Sequence, residues 1–211
     1  MTNSNMPNAN VPVIRIVDDD EMMLSSWVFF LEAEGRRVRS YTDALDFVEH
    51  DDFSDPGCLL LDVRMPNMSG LELQELMSIK GIELPIVFVS GHGDVDMVVH
   101  ALKHGADDFL QKPVNEVRLL QALDAAVARD LERRAKLKIT QSLAETYDTL
   151  TDREKEVVGF VAQGLMNKVI ADKMGISERT VQIHRGVACK KLGVRTVVDL
   201  VKLLQKLGLS S

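Results

Sequence analysis

The 211-residue sequence has only two cysteines, Cys58 and Cys189, and they form no CxxC pair. Two distant cysteines are too few for a disulfide framework, so we expect buried thiols in a reducing cytoplasm. No apolar run approaches the roughly 20 residues that cross a bilayer. The segment Met1–Pro12 lacks both the basic start and the apolar core of a secretion signal. These absences predict a cytoplasmic protein without membrane contact.

The sequence also lacks a GxGxxG pattern and a P-loop, so nucleotide binding is not indicated. Its net charge of −7 is unevenly distributed. Residues 151–211 have eleven Lys/Arg against six Asp/Glu, whereas residues 1–150 have 14 basic and 26 acidic residues. The basic end is therefore the candidate for a polyanionic partner, although solvated charged faces are common and charge alone does not decide it.

Short apolar runs alternate with helical patterns over the first part of the chain. This order predicts an α/β domain with a parallel sheet covered on both faces. The predicted strands are Val13–Val17, Val38–Tyr41 (an edge strand), Cys58–Leu61, Ile86–Val89 and Asp108–Leu110. The predicted helices are Met22–Glu34, one capped by Thr42 and ending near Glu49, Leu71–Lys80, Asp94–His104, and a long one that Asn115 caps and Glu116 begins.

Acidic, hydroxyl and lysine side chains follow four of these strands. They are Asp18 with Asp19, Asp62, Ser90 and Lys112. Ligand sites of parallel sheets lie at the carboxyl ends of the strands, so we expect these side chains to meet. Clustered carboxylates favour a cation such as Mg²⁺. An aspartate can act as a nucleophile toward phosphorus, and a lysine can offset the phosphoryl charge. Any one of these residues alone is more simply a solvated turn or surface residue.

The remainder of the chain is predicted to be helical. Thr151 and Glu154 form a capping-box pattern before a helix that reaches Gln163. A short helix, a turn and a longer helix then make a helix-turn-helix pattern. The remaining predicted helices are Asn167–Met174, Glu178–Leu192 after the cap Ser177, and Thr196–Leu207. The charged stretch before Thr151 is predicted to be a helical linker, because a coiled coil would need more sustained heptads.

The second helix of a helix-turn-helix enters the major groove, so the faces of Glu178–Leu192 predict its contacts. One side has the apolar residues Val181, Ala188 and Leu192, with His184 beside them, and the other has Arg179, Gln182, Ile183, Gly186 and Lys190. Glutamine can pair with adenine and an apolar side chain can contact a thymine methyl group. The side chains of Arg185, Lys190 and Lys191 can neutralise phosphates. The alternative is that this helical part binds protein instead of DNA.

At three places the first part resembles receiver domains of bacterial two-component response regulators: VDDDE at residues 17–21, LDVRMPNMSG at 61–70 and QKP at 111–113. The resemblance implies a flavodoxin-like five-stranded fold with Asp62 as phospho-acceptor. It further implies Mg²⁺ held by Asp18 (through water), Asp19, Asp62 and the Arg64 carbonyl. Ser90, Phe109 and Lys112 match the switch positions, although Phe109 can also be plain core packing.

The second part resembles the LuxR-type four-helix DNA-binding domain, through LTDRE at residues 150–154, GLMNK at 164–168, IA at 170–171, IS at 176–177, RTV at 179–181, HR at 184–185 and KLGVR at 191–195. With the receiver in front, the chain resembles a NarL/FixJ-subfamily response regulator. Two residues depart from that pattern: Gln182 stands where Lys is frequent, and Gly186 is unusual within a helix. The carried-over DNA contacts are Lys168, Arg179, Thr180, Gln182, Ile183, Arg185, Gly186, Lys190 and Lys191.

This resemblance implies a domain order and a set of partners. We expect a disordered tail over residues 1–11, a receiver over 12–129, a helical linker over 130–149 and the DNA-binding domain over 150–211. The expected partners are a sensor histidine kinase, double-stranded DNA, RNA polymerase and, when phosphorylated, a second copy of the chain. An aspartate-nucleophile phosphatase is the rival class. It needs an acid two residues after the nucleophile, where Arg64 stands, so we expect no enzyme.

Overall fold

A computed structural model describes residues 11–91 and 95–209 of the chain. Its five strands form one parallel sheet in the order β2-β1-β3-β4-β5. The strands are β1 (Val13–Val17), β2 (Arg37–Tyr41), β3 (Gly57–Asp62), β4 (Ile86–Ser90) and β5 (Asp108–Gln111). The predicted parallel α/β sheet is therefore confirmed, with β2 at an edge. The predicted N-terminal tail falls almost entirely outside the described residues.

Five helices accompany the sheet: α1 (Glu21–Ala33), α2 (Ala44–His50), α3 (Gly70–Ile79), α4 (Val95–Lys103) and α5 (Glu116–Asp148). One predicted cap is wrong. Asp43, and not Thr42, precedes α2, and its carboxylate accepts hydrogen bonds from the N–H groups of Leu45 at 2.8 Å and Asp46 at 3.1 Å. Aspartate caps a helix better than threonine does, so the stronger of two adjacent cap residues sets the start.

The sheet is buried on both faces, which explains its unbroken apolar strands. On one face Ile14 and Ile16 pack among apolar residues of α1 and α5, including Leu31 and Leu123. On the other face apolar residues of β1, β3 and β4 pack among residues of α2, α3 and α4, including Phe47. Alternate residues of each strand point to opposite faces, so a continuous apolar run can supply both cores.

The chain divides into two compact units, Met1–Arg134 and Ala135–Ser211. The division falls within α5, where the sequence contains neither proline nor glycine. None of the described helices is both long and apolar enough to cross a membrane.

The second unit contains α6 (Asp152–Ala162), α7 (Asn167–Met174), α8 (Glu178–Leu192) and α9 (Val197–Lys206), whose apolar faces share one core. The predicted capping box of Thr151 and Glu154 is present. Helices α7 and α8 have the predicted bounds, because Gly175 and Gly193 end them in the left-handed region at φ values of 65° and 66°. The predicted helical fold of this part is confirmed.

Candidate functional site

The acidic pocket forms where β1 and β3, neighbours in the sheet, end side by side. Val17 pairs with Leu61, so the next residues, Asp18 and Asp62, emerge at the same edge. Both side chains are buried, with 4% of Asp18 and 8% of Asp62 exposed. The sheet register thus brings two carboxylates together that are far apart in sequence.

The side chain of Lys112, which follows β5, joins these carboxylates. Its ammonium Nζ donates to Oδ1 of Asp62 at 2.7 Å and to Oδ2 of Asp18 at 3.0 Å. The second oxygen of each carboxylate accepts from the backbone: Oδ2 of Asp62 from the Arg64 N–H at 2.6 Å, and Oδ1 of Asp18 from the Asp20 N–H at 3.0 Å. Every oxygen of the two carboxylates therefore has a hydrogen-bond donor.

One ammonium against two buried carboxylates leaves the pocket negatively charged. Burial by itself lowers the pKa of Lys112, but the hydrogen bonds to Asp62 and Asp18 outweigh burial and raise the pKa above its ordinary value. The lysine thus stays protonated at neutral pH. Asp19, which follows Asp18 in sequence, is exposed. Asp20 caps α1 through its carboxylate, which accepts from Met22 and Met23.

Two of the three predicted switch residues, Ser90 and Phe109, lie on the strands β4 and β5. Ser90 ends β4 and is buried. Phe109 of β5 is half-buried and packs against the core, with its ring centroid 6.1 Å from that of Phe88. The structure therefore shows Phe109 in core packing, and its role as a switch stays a prediction.

The long helix α8 has the two faces that its sequence predicts. Val181, Ala188 and Leu192 are buried in the core of the second unit. The opposite face, formed by Arg179, Gln182, Ile183, Gly186 and Lys190, is exposed, and 58% of the apolar Ile183 is accessible. His184 is half-buried between the two faces, and Lys168 is exposed on α7.

Three predicted DNA contacts also have partners inside the protein. Nζ of Lys191 donates to Oε2 of Glu154 at 2.7 Å and to the carbonyl of Thr149 at 3.2 Å. A guanidinium nitrogen of Arg185 lies 3.2 Å from Oδ1 of Asn167. The hydroxyl groups of Thr180 and Ser177 are 2.8 Å apart. Sequence reasoning missed the link between Lys191 and Glu154, although a lysine in the last turn of an amphipathic helix is a common partner for a buried acid.

Comparison with known proteins accounts for both units. Residues 14–124 match the family described as response regulator receiver domain, and residues 148–204 match the family described as bacterial regulatory proteins, luxR family. Nodulation protein W of Bradyrhizobium diazoefficiens is 38% identical over 199 residues, which are 94% of this chain and 88% of that protein. The chain is a two-component response regulator of the NarL/FixJ type.

Other relatives of this response regulator agree in sequence and structure. Response regulator protein TodT of Pseudomonas putida is 40% identical over 195 residues, which are 92% of this chain and 86% of TodT. The structure of response regulator StyR has a TM-score of 0.83 at 40% identity, covering 93% of this chain and 99% of that one. The structure of full-length FixJ from B. japonicum has a TM-score of 0.56 at 33% identity, covering 96% of this chain and 100% of that one.

Membership of the NarL/FixJ type gives each unit a role. The first contains a receiver domain, which implies a sensor kinase as partner, and the second contains a LuxR-type domain, which implies DNA binding. The protein is therefore a two-component transcription regulator. Receiver domains of the family typically bind Mg²⁺.

Proposed function

We propose that Asp62 is the residue phosphorylated by the sensor histidine kinase, and that its phosphorylation controls sequence-specific DNA binding through α8. The observation that supports this most directly is the contact of the Asp62 carboxylate with Lys112 at 2.7 Å, at the carboxyl end of the central strand β3. A carboxylate held beside a permanent ammonium group is placed to accept a phosphoryl group whose charge the same ammonium can offset.

The proposed chemistry is a simple exchange of bonds at phosphorus. A carboxylate oxygen of Asp62 attacks the phosphorus of a phosphohistidine or a small acyl phosphate. The new O–P bond forms as the bond to the donor breaks, and the donor leaves with the electron pair of that bond. Lys112 stabilises the negative charge on the transferred group. The hydroxyl of Ser90, at the end of the neighbouring strand, would hydrogen-bond the product.

The donor set of the pocket fits a divalent cation. The two buried carboxylates and the exposed Asp19 together have more negative charge than the single positive charge of Lys112 can balance. A hard divalent cation would balance the remaining negative charge. Asp19, Asp62, the Arg64 carbonyl and, through water, Asp18 would hold Mg²⁺. When bound, Mg²⁺ supplies positive charge to the phosphoryl oxygens. Because the Arg64 N–H is already bonded to Asp62, the backbone at this position is oriented by the same carboxylate.

Incubation with acetyl phosphate and Mg²⁺, followed by intact-mass measurement, tests the assignment of Asp62. The wild-type chain should gain one acid-labile phosphate and Asp62→Asn none. Asp20→Asn is the matched control, because asparagine also caps helices and Asp20 contacts the backbone of α1. It should be phosphorylated like the wild type. An equal gain of phosphate by Asp62→Asn would show that another residue is the acceptor.

The link from Asp62 to DNA is proposed to pass through Ser90 and Phe109 to the surface of α4 and α5. Four apolar residues of that surface are exposed, namely Val95, Val99, Leu102 and Val117. Exposed apolar patches of this kind mark sites of association. We propose that phosphorylation favours a homodimer through this surface, so that two α8 helices meet half-sites about one helical turn apart. RNA polymerase is a further proposed partner, and genomic DNA as the target places the protein in the cytoplasm.

On α8, Gln182 and Ile183 are proposed to contact bases, while Lys190, Arg179, Thr180, Arg185 and, from α7, Lys168 contact the phosphate backbone. Lys191 is less suited to that role, since its ammonium pairs with Glu154. A Cβ atom added at Gly186 would meet no atom within 4 Å, so packing within the chain does not require glycine there. Its exposure on the same face supports a close approach of the backbone to DNA.

Binding to an operator library separates base contacts from phosphate contacts. Gln182→Ala should relax the preference at one base pair, at a cost of about 1–3 kcal/mol for the preferred sequence. Lys190→Ala should weaken binding to all sequences alike and reduce the salt slope by roughly one unit. If the two variants give the same pattern across the library, the proposed division between base and phosphate contacts is wrong.

A further inference from the structure

A group of metal-ligating side chains lies outside the acidic pocket, on the outer side of α3 and α4. Glu75 belongs to α3, His100 to the last turns of α4, and His104 follows that helix directly. One potential ligand atom from each lies within 4.8 Å of the other two. All three residues are at least partly exposed, so an ion from solution can reach them.

One ring nitrogen of His104 contacts the backbone, which fixes the role of the other. Its Nδ1 lies 2.8 Å from the carbonyl of His100, and because a carbonyl only accepts, Nδ1 must carry the proton. In the neutral ring the lone pair then belongs to Nε2. Histidines that bind metals typically donate their other ring N–H to a carbonyl or carboxylate in this way, which fixes the tautomer and raises the basicity of the ligating nitrogen.

The second imidazole of the group belongs to His100. Its Nδ1 is buried and has no hydrogen-bond partner in the part of the chain that the structure describes. Its Nε2 is 4.0 Å from Oε1 of Glu75, which is too long for a hydrogen bond. The two imidazole rings stack with centroids 4.0 Å apart. A cation shared with Glu75 and His104 would give a ring nitrogen of His100 a partner.

We propose that Glu75, His100 and His104 form a binding site for a divalent transition-metal ion of the zinc class. Two imidazoles and one carboxylate suit Zn²⁺, whereas Mg²⁺ prefers oxygen ligands alone. Three protein ligands leave one position of a tetrahedral ion to solvent. The ion would join α3 to the C-terminal end of α4, and histidine spacing of four residues places both rings on one side of the helical turn.

Calorimetric titration of Zn²⁺ into the tag-free, metal-stripped full-length chain tests this site. Excess Mg²⁺ is present throughout to compete for the acidic pocket. We expect one Zn²⁺ per chain, with affinity reduced at least about tenfold in His104→Ala and in Glu75→Gln. Zn²⁺ should also raise the melting temperature of the wild type by roughly 3 °C or more, and that rise should be lost in both variants.

His50→Ala is the matched control. Nδ1 of His50 lies 3.2 Å from the carbonyl of Asp46 and 2.7 Å from its carboxylate. His50 therefore pairs with one acid, and among the described residues it belongs to no group of three potential metal ligands. This variant should bind Zn²⁺ like the wild type. Far-ultraviolet circular dichroism confirms that each variant is folded, and the visible spectrum of bound Co²⁺ should change in His104→Ala but not in His50→Ala. Unchanged Zn²⁺ affinity in His104→Ala and Glu75→Gln, or an equal loss in His50→Ala, would overturn the proposal.

Discussion

The ammonium of Lys112 lies 2.7 Å from Oδ1 of Asp62, although 50 residues separate them in sequence. The same ammonium lies 3.0 Å from Asp18, and 20% of the lysine side chain remains exposed. One cation therefore compensates two buried carboxylates. This shared contact predicts that Lys112 stabilises the unphosphorylated receiver.

Lys112→Met should destabilise the protein at neutral pH, because it leaves two carboxylates in the pocket without their cation. We expect a loss of about 2 kcal/mol in the free energy of unfolding, less than for a fully buried pair because the lysine is partly exposed. Mg²⁺ should restore more stability to this variant than it adds to the wild type. Chemical unfolding with and without Mg²⁺ measures both effects.

Lys103→Met, at an exposed position on α4, is the control and should behave like the wild type. The raised pKa of Lys112 means that its contribution is fully present below the ordinary lysine value of about 10.4 and is lost only as pH rises through the higher folded value. If Mg²⁺ adds the same free energy of unfolding to Lys112→Met as to the wild type, Lys112 does not balance the charges of Asp18 and Asp62.

Asp130→Ala should strongly destabilise the first unit. The Asp130 carboxylate is fully buried and accepts from the Gly57 N–H at 2.9 Å, from Arg133 at 2.6 Å and from Arg134 at 2.7 Å. Removing it leaves the Gly57 N–H without its acceptor and takes one acceptor from each guanidinium group, although Arg133 keeps Glu83 and Arg134 keeps backbone carbonyls. We expect a loss of about 3 kcal/mol in the free energy of unfolding, measured with urea.

Asp124→Ala is the matched control on the same helix. Asp124 also pairs with an arginine, Arg36, at 2.8 Å, but 54% of its side chain is exposed. Exposed ion pairs contribute at most about 1 kcal/mol, so this variant should lose little stability. If Asp124→Ala and Asp130→Ala lose similar amounts of stability, the burial of Asp130 is not the cause of its contribution.

The adjacent lysines Lys190 and Lys191 should have separable effects. Lys191→Ala should lower the melting temperature of the second unit, because Glu154 loses its ion-pair partner. Lys190→Ala should leave the melting temperature unchanged and weaken DNA binding. Scanning calorimetry and DNA titration of the two variants test this separation. If Lys191→Ala and the wild type have the same melting temperature, Lys191 does not stabilise the second unit.

This ion pair also gives the second unit a defined pH dependence. The hydrogen bond from Lys191 holds the pKa of Glu154 below its ordinary value, and the Thr151 N–H lowers it further. A lowered pKa contributes stability above the unfolded value of about 4.3, and that stability is lost as pH falls through the folded value. The melting temperature of Lys191→Ala should therefore approach that of the wild type at acid pH.

Ser90→Ala should separate phosphorylation from its consequences. The variant retains Asp62 and Lys112 and should accept phosphate, but it lacks the hydroxyl that would hold the phosphoryl group in one arrangement. Phosphorylated wild type should gain self-association and operator affinity together, and phosphorylated Ser90→Ala should gain less of both. Sedimentation and operator titration provide the measurements. If phosphorylation changes neither property in the wild type, the proposed coupling fails although Asp62 can still be the acceptor.

Local signals in the sequence account for how well individual elements were predicted. Helices α7 and α8 match their predicted bounds because Gly175, Ser177 and Gly193 act within one turn of the helix ends they define. The sequence predicts the wrong cap for α2 because Thr42 and Asp43 are adjacent and both can cap a helix, and the stronger cap, Asp43, sets its start. Parallel topology predicts that Asp18, Asp62, Ser90 and Lys112 lie at one edge of the sheet, and the order of the strands comes from the structure.

The sequence by itself determined the two kinds of domain, the strands and helices, and the residues of the acidic pocket, since each depends on local periodicity or on motifs at strand ends. Only the tertiary structure decided which partners distant polar residues acquire. Arg15 stands in a buried strand and pairs with Asp51 at 2.8 Å, and Lys191 pairs with Glu154 at 2.7 Å. A buried charge is stable only when an opposite charge lies next to it. Which residue supplies that charge depends on how the chain packs, and a local sequence pattern does not predict it.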